Sequence, residues 1–334
     1  MALGPHAFNI LLAGDEWLIV LNPMVWSDLI VSMGRWGSRV MWDLLPFRDF
    51  NPSFLVLGNA IIGIGAALWA AQIAGIRNVW AVTLFMGFFV LSPVWVEAWF
   101  ITLEQYSRAA TLILAVTQVW ATLRFCEGER IRSHFWPYAV LAVLTFVLVA
   151  AFYQVNVIWS IELLGVAILM RVVTRAEDFP ASMLWKRYCF RALAIIVTGL
   201  VFYFMSVYFF QWFYGVEASR VADDSAYDLI GNLFADLFGH IIYFTEVVLQ
   251  FYLFDMHMTP AIFGWALLAG VSVYLTDQWK SFRTLRGNIL GRWIFVLAVL
   301  LAILLLPFMF GIIRYIRFNM LTSASVLFAF FLAY

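Results

Sequence analysis

The stretch 14–50 opens with Gly14-Asp15-Glu16-Trp17, two adjacent carboxylates at the end of an apolar run. Paired acids beside apolar chain suit proton transfer to or from a bound hydroxyl. Further on come Arg35 and Arg39. An arginine's planar fork donates two parallel hydrogen bonds and so suits a phosphate. The stretch Ser92–Trp99 with Glu104–Arg108 adds two acids, Glu97 and Glu104, a base, and aromatic rings of the kind that stack on a sugar. Tyr153-Gln154, with Asn156 close behind, sits between two apolar segments, and Glu162 lies deeper in the second. Arg314, Tyr315, Arg317 and Asn319 form a last polar cluster that would suit an anion such as a phosphate or pyrophosphate.

Each group has a plainer reading beside the chemical one. The arginines of 14–50 would also serve an amphipathic connector with solvated charges. The aromatics near Glu97 would also form an interfacial belt, and Arg314 and Arg317 would also snorkel to headgroups. Several chemistries have no motif here: there is no GxxxxGK[ST], no GxSxG and no HExxH. His6, His134, His240 and His257 are scattered, and we read neither a metal site nor a nucleotide site.

The elements that must hold these residues follow from composition. Hydrophobic residues make up 65% of the 334 and charged residues only 12%, at a mean hydropathy of +0.92. A soluble domain carries roughly a quarter charged residues, so an apolar solvent, the bilayer, is the expected surrounding. Net charge is zero, which argues for no nucleic-acid partner. Cys126 and Cys189 lack metal-ligand spacing and fall in loops expected to stay reduced, so no disulfide is expected.

Hydropathy predicts an all-α bundle of about nine spans near 54–74, 79–96, 107–123, 137–153, 155–170, 192–214, 258–275, 293–313 and 320–334. The segment 239–256 reads as re-entrant or interfacial. We treat residues 1–334 as one transmembrane domain with outer loops 14–50, 97–106 and 215–255. The run Phe8–Ala13 is too short to span, which predicts an interfacial start or a preceding span upstream. The last span reaches Tyr334 without a polar tail, so truncation is expected at the N-terminus and is an alternative at the C-terminus. With these spans, 13 of 20 basic residues fall on one side, which predicts that side to be cytoplasmic. Fourteen of 20 acids fall on the other. Within 14–50, Leu29, Met33, Trp36, Val40 and Leu44 share one helical face, beside a polar face with Asp28, Ser32, Arg35, Arg39 and Asp43. This predicts an interfacial helix with Trp and Leu dipped in lipid. Gly63, Ala67, Ala71 and Gly75 recur every fourth residue, a stripe for close helix packing.

In these residues the chain resembles the serotype-converting O-antigen glucosyltransferases of bacteria (the type II Gtr family) of the glycosyltransferase C superfamily. The similarity is carried by Asn9 to Trp17 with its acidic pair, by Gly34-Arg35-Trp36, by Pro93 with Glu97, and by Tyr153-Gln154. It covers roughly residues 9–175. The chain departs from the family pattern at Glu16, where a second Asp is usual, and at Trp36, where Pro is common; the family's first helix has no counterpart.

The resemblance implies a multi-pass protein of the bacterial inner membrane whose site faces the periplasm. It implies transfer of a hexose, glucose in the family, from a polyprenyl-phosphate donor to a lipid-linked oligosaccharide or O-antigen acceptor. Asp15 and Glu16 would be catalytic, with Asp15 as the base. Arg35, Arg314 and Arg317 would hold the donor phosphate, and Glu97, Tyr153 and Gln154 would meet sugar hydroxyls. No cofactor is expected, although Asp15, Glu16 and Asp223-Asp224 leave a recruited divalent ion as an alternative. Competing readings are a transporter or flippase of lipid-linked sugars and an O-antigen polymerase.

Overall fold

The computed structural model describes residues 23–44, 52–91, 105–128, 135–174, 181–217, 269–270, 272–277, 279–280 and 289–310. Among the described residues every regular element is helical, and none is a strand. The elements are α1 (Pro23–Ser32), α2 (Trp36–Leu44), α3 (Pro52–Ile73), α4 (Val79–Leu91), α5 (Gln105–Glu127), α6 (Trp136–Phe152) and α7 (Val155–Thr174). A short α8 (Ala181–Leu184) then runs through a π-helical segment (Trp185–Phe190) into α9 (Arg191–Tyr214), and α10 (Ile289–Phe310) follows later. Seven of the expected spans overlap these helices. The spans 258–275 (apart from a few helical residues) and 320–334, with the segment 239–256, lie outside the described residues.

Helix α5 is the hub. It packs on α3, α6, α7 and α9, while α7 also carries α10. The stripe on α3 does what small side chains permit: Ala67 and Ala71, with neighbours Ala66, Ala70 and Ala74, are buried in the main core. Gly75 has a different task. It stands at φ +79, and the amides of Gly75 and Ile76 bond back to the carbonyls of Gln72 and Ala71. That pair of hydrogen bonds is a Schellman stop, which needs a left-handed residue and so favours glycine.

Where α6 crosses α9, Gly199 allows close contact. A Cβ there would lie 2.5 Å from the ring of Phe146, which is itself buried. Gly65 has open space around the same atom. Gly199→Ala is therefore expected to lower stability by about 1–3 kcal/mol through overpacking, with Gly65→Ala near neutral. Thermal unfolding of both variants in one detergent checks this.

Polar groups line part of the interior between α5 and α7. Asn156 donates to the Thr111 hydroxyl at 2.8 Å, Gln118 donates to Thr122 at 3.3 Å, and Glu162 is fully buried in α7. These groups face the bundle interior, as polar groups in an apolar surrounding must. The outside is apolar instead. Leu193, Val197, Phe204 and Trp212 on α9 are more than half exposed. The continuous stretch Ser182–Tyr214 is long and apolar enough to cross a membrane, and only 17% of its apolar window is buried. It is the one helix meeting that test among the described residues. Ala60–Ile73, Trp136–Phe152 and Leu290–Ala302 are apolar but shorter.

The single interfacial helix expected over Leu29–Leu44 is corrected. The chain breaks at Gly34, φ +80, into α1 and α2. The physical cause is another Schellman stop, in which Gly34 and Arg35 amides bond to Val31 and Ile30 carbonyls at 2.9 Å each. Trp36 is not dipped in lipid but buried. It stacks on Phe210 at 4.1 Å, and its indole N–H donates to the Ser206 hydroxyl at 3.0 Å.

Gln154 and Arg171 mark opposite ends of α7. At 1.5 Å per residue they stand roughly 25 Å apart. The bundle thus has two polar ends, one around Arg35 and Gln154 and one around Arg171.

Candidate functional site

The first polar end is built on the break between α1 and α2. The left-handed turn at Gly34 lifts Arg35 out of both helices and aims it at the tight turn between α6 and α7. That turn is short because α6 ends at Phe152, Tyr153 is extended (φ −160°, ψ 110°), and α7 starts at Val155. The Arg35 guanidinium carbon lies 4.5 Å from the centre of the Tyr153 ring. Arg35 Nε donates to Gln154 Oε1 at 3.2 Å. A cation over an aromatic face is attracted by the ring quadrupole, so Tyr153 and Gln154 together fix the plane of the guanidinium.

Gln154 is itself held on three sides. Its Nε2 donates to the Met33 carbonyl at 2.7 Å and to the Tyr203 hydroxyl at 2.9 Å, and Tyr203 donates onward to the Gly34 carbonyl at 3.3 Å. Both amide hydrogens are thereby used. Gln154 acts here as a clamp joining the α1–α2 break to α7 and α9, and only its oxygen keeps a lone pair for another partner. Among the described residues no acceptor meets Nη1 or Nη2 of Arg35, which is only half-buried. Two donors of a pre-oriented fork therefore remain for an anion.

Other bonds lock the hairpin down. Ser38 donates to the Phe152 carbonyl at 3.1 Å, and Gln211 donates to the Ser32 carbonyl at 3.2 Å. A Cβ on Gly37 would come within 3.2 Å of the Ala151 backbone, so α2 and α6 touch there. Arg39 is committed elsewhere. Its Nε meets both Asp43 carboxylate oxygens at 3.0 Å, its Nη1 meets Asp28 at 3.4 Å, and its guanidinium carbon lies 5.0 Å from the Tyr214 ring centre. Of the two arginines in the hairpin, Arg39 is paired with two carboxylates, whereas Arg35 meets none among the described residues.

The structure thus brings together Arg35, Tyr153 and Gln154. Asp15, Glu16, Glu97, Arg314 and Arg317 lie outside the described residues. Comparison with family models, curated proteins and solved structures finds no match for this chain. The function therefore rests on the site's own chemistry. Among the described residues no group of three His, Cys, Asp or Glu is placed to hold a metal ion.

Sequence reasoning missed Tyr203, the buried phenol that ties the cluster to α9, and the role of Gly34. A signal for the second was present, since Gly after an apolar helical run is a common helix stop. A Cβ on Gly34 would lie 2.6 Å from the Tyr203 hydroxyl, and the backbone there is left-handed. Gly34→Ala is expected to cost about 1–3 kcal/mol in backbone strain and to push Tyr203 off Gln154. A lower midpoint of thermal unfolding, with loss of tyrosine hydrogen-bond signals in ultraviolet resonance Raman spectra, would register both effects.

Proposed function

We propose that this chain is a polytopic membrane glycosyltransferase, with about nine spans, that moves a hexose from a polyprenyl-phosphate donor to a lipid-linked oligosaccharide at the outer face of the bacterial inner membrane. The observation that carries the reading is the Arg35 fork, held by Tyr153 and Gln154, with no acceptor on Nη1 or Nη2 among the described residues. A sugar phosphate that loses its sugar gains charge on the bridging oxygen, and a preset guanidinium stabilises that charge as it builds. The exposed apolar face of α9 and the polar ends of the bundle favour the bilayer as solvent.

In the reaction, an acceptor hydroxyl attacks the anomeric carbon. The new C–O bond forms as the bond from that carbon to the phosphate oxygen breaks, and the polyprenyl phosphate leaves with the electron pair. The Asp15 carboxylate takes the hydroxyl proton, with Glu16 beside it. Arg35, with Arg314 and Arg317, receives the leaving phosphate. Gln154 positions Arg35, and Tyr153 and Glu97 face the sugar.

Purified full-length protein in lipid nanodiscs, given radiolabelled polyprenyl-phosphate glucose and a lipid-linked oligosaccharide, tests this directly. Label moving to the acceptor supports the transferase. Donor crossing the bilayer with no label on any acceptor replaces it with a flippase.

A further inference from the structure

The second polar end surrounds a cavity of about 1200 Å³ between α3, α4, α5 and α7. We propose that this cavity binds the phosphate headgroup of an anionic phospholipid, at the end of the bundle opposite the transfer site. The inference rests on the membrane reading above but not on the transferase chemistry.

Three arginines and one acid line the cavity: Arg77, Arg124, Arg171 and Glu127. Arg171 is consumed by the fold. It pairs with Glu127 and donates to the carbonyls of Ile73 at 2.9 Å and Ala167 at 3.2 Å. That neutralises the acid and leaves Arg77 and Arg124, both exposed. Arg124 lies 5.9 Å from the centre of the Trp120 ring, and Trp120 in turn meets Trp69 at 6.2 Å.

The ordinary reason for arginines at this end would be the carbonyls left bare where helices stop. Here those carbonyls have other partners. Arg171 takes Ile73 at the end of α3, and Gly75 and Ile76 close the same turn. At the end of α5, Arg191 donates to the carbonyls of Phe125, Cys126 and Gly128 at 2.9, 3.1 and 3.0 Å. Arg77 and Arg124 are not needed as caps, so their charge is available to a ligand.

The rest of the wall says what kind of ligand. Leu68, Val82 and Met170 are apolar, and the two tryptophans sit beside the arginines. The volume exceeds the roughly 300–1,000 Å³ of a small-molecule pocket. Inorganic phosphate would leave most of it empty and its apolar wall wet. A molecule with a phosphate and an acyl chain fills both parts, and basic pockets between helices near the cytoplasmic surface suit such headgroups. By the basic-residue balance this is the cytoplasmic end, the side where anionic lipid would meet it.

Native mass spectrometry of the full-length protein, offered equal amounts of dioleoyl phosphatidylglycerol and dioleoyl phosphatidylcholine, tests the site. The expected result is retention of phosphatidylglycerol over phosphatidylcholine by about tenfold or more, the scale of two arginines near a headgroup. That preference is expected to vanish in the Arg77→Gln, Arg124→Gln double variant. It should persist in Lys186→Gln, whose lysine is exposed and outside the cavity wall. Equal retention of both lipids by the wild type overturns the proposal without recourse to any variant, as does a preference that survives in the double variant. Full displacement of lipid by millimolar inorganic phosphate would assign the site to a soluble anion and overturn the lipid. Extraction of native membranes with alkaline carbonate separates the two readings. Release of the protein removes the membrane reading, whereas retention without lipid preference removes this site alone.

Discussion

Asp15→Asn is expected to reduce hexose transfer by about 10²–10⁴-fold, the range a positioned general base contributes. Asparagine keeps the size and polarity of the side chain but cannot accept the hydroxyl proton. The loss should therefore fall on kcat with little change in donor KM, since the substitution removes an interaction made during the reaction and not in ground-state binding. Glu16→Gln is the informative neighbour. If the two acids divide the work as proposed, Glu16→Gln loses less than Asp15→Asn. Single-turnover transfer in nanodiscs separates chemistry from product release. Wild-type rates in Asp15→Asn would remove that carboxylate from the mechanism, and an equal loss in both variants would make the pair act as one unit.

Arg35→Lys is expected to lower kcat/KM by about 10²–10³-fold, comparable to the loss of one preset donor to a developing anion. The change keeps the positive charge, so a purely electrostatic role would survive it. What it removes is geometry. Lysine has no Nε–H to meet Gln154 at 3.2 Å and no planar face to lie over Tyr153. The Gln154 amide would remain tied to Met33 and Tyr203, so the fold should persist. A small shift in unfolding midpoint together with a large loss of transfer would mark Arg35 as a functional fork. Unchanged transfer would reduce it to a structural strut between α2 and the α6–α7 turn. A companion measurement with Gln154→Leu tests the positioning role. If Gln154 acts through Arg35, combining it with Arg35→Lys should add little further loss.

The Arg35 result depends on a contact that joins residues 119 positions apart. What could be read along the chain was local. The sparsity of charge pointed to an all-α chain with apolar surroundings. The small residues Ala67 and Ala71 marked the buried side of α3, where the structure finds them. The tight turn at Tyr153-Gln154 was visible as two apolar runs with almost nothing between them. These features are legible because periodicity and turn chemistry act over a few residues. The α1–α2 break shows where such reading falls short. The apolar face from Leu29 to Leu44 continues through Gly34 on paper, since one glycine costs a helix only about 1 kcal/mol. In the folded protein the turn at Gly34 is held by Gln154 and Tyr203 from distant helices, and those contacts outweigh the periodicity.

The sequence by itself determined the helical class and the separation of basic from acidic segments, since each is a matter of composition or near neighbours. Tertiary structure decided which of the hairpin and α7 arginines meets no carboxylate among the described residues. Arg39 is spent on Asp28 and Asp43 and Arg171 on Glu127, while Arg35 is aligned by Tyr153 and Gln154 with donors to spare. The Arg39–Asp43 pair is a local i,i+4 contact, but the partners of Arg35 and Arg171 are acceptors that only folding brings within about 3 Å of the guanidinium.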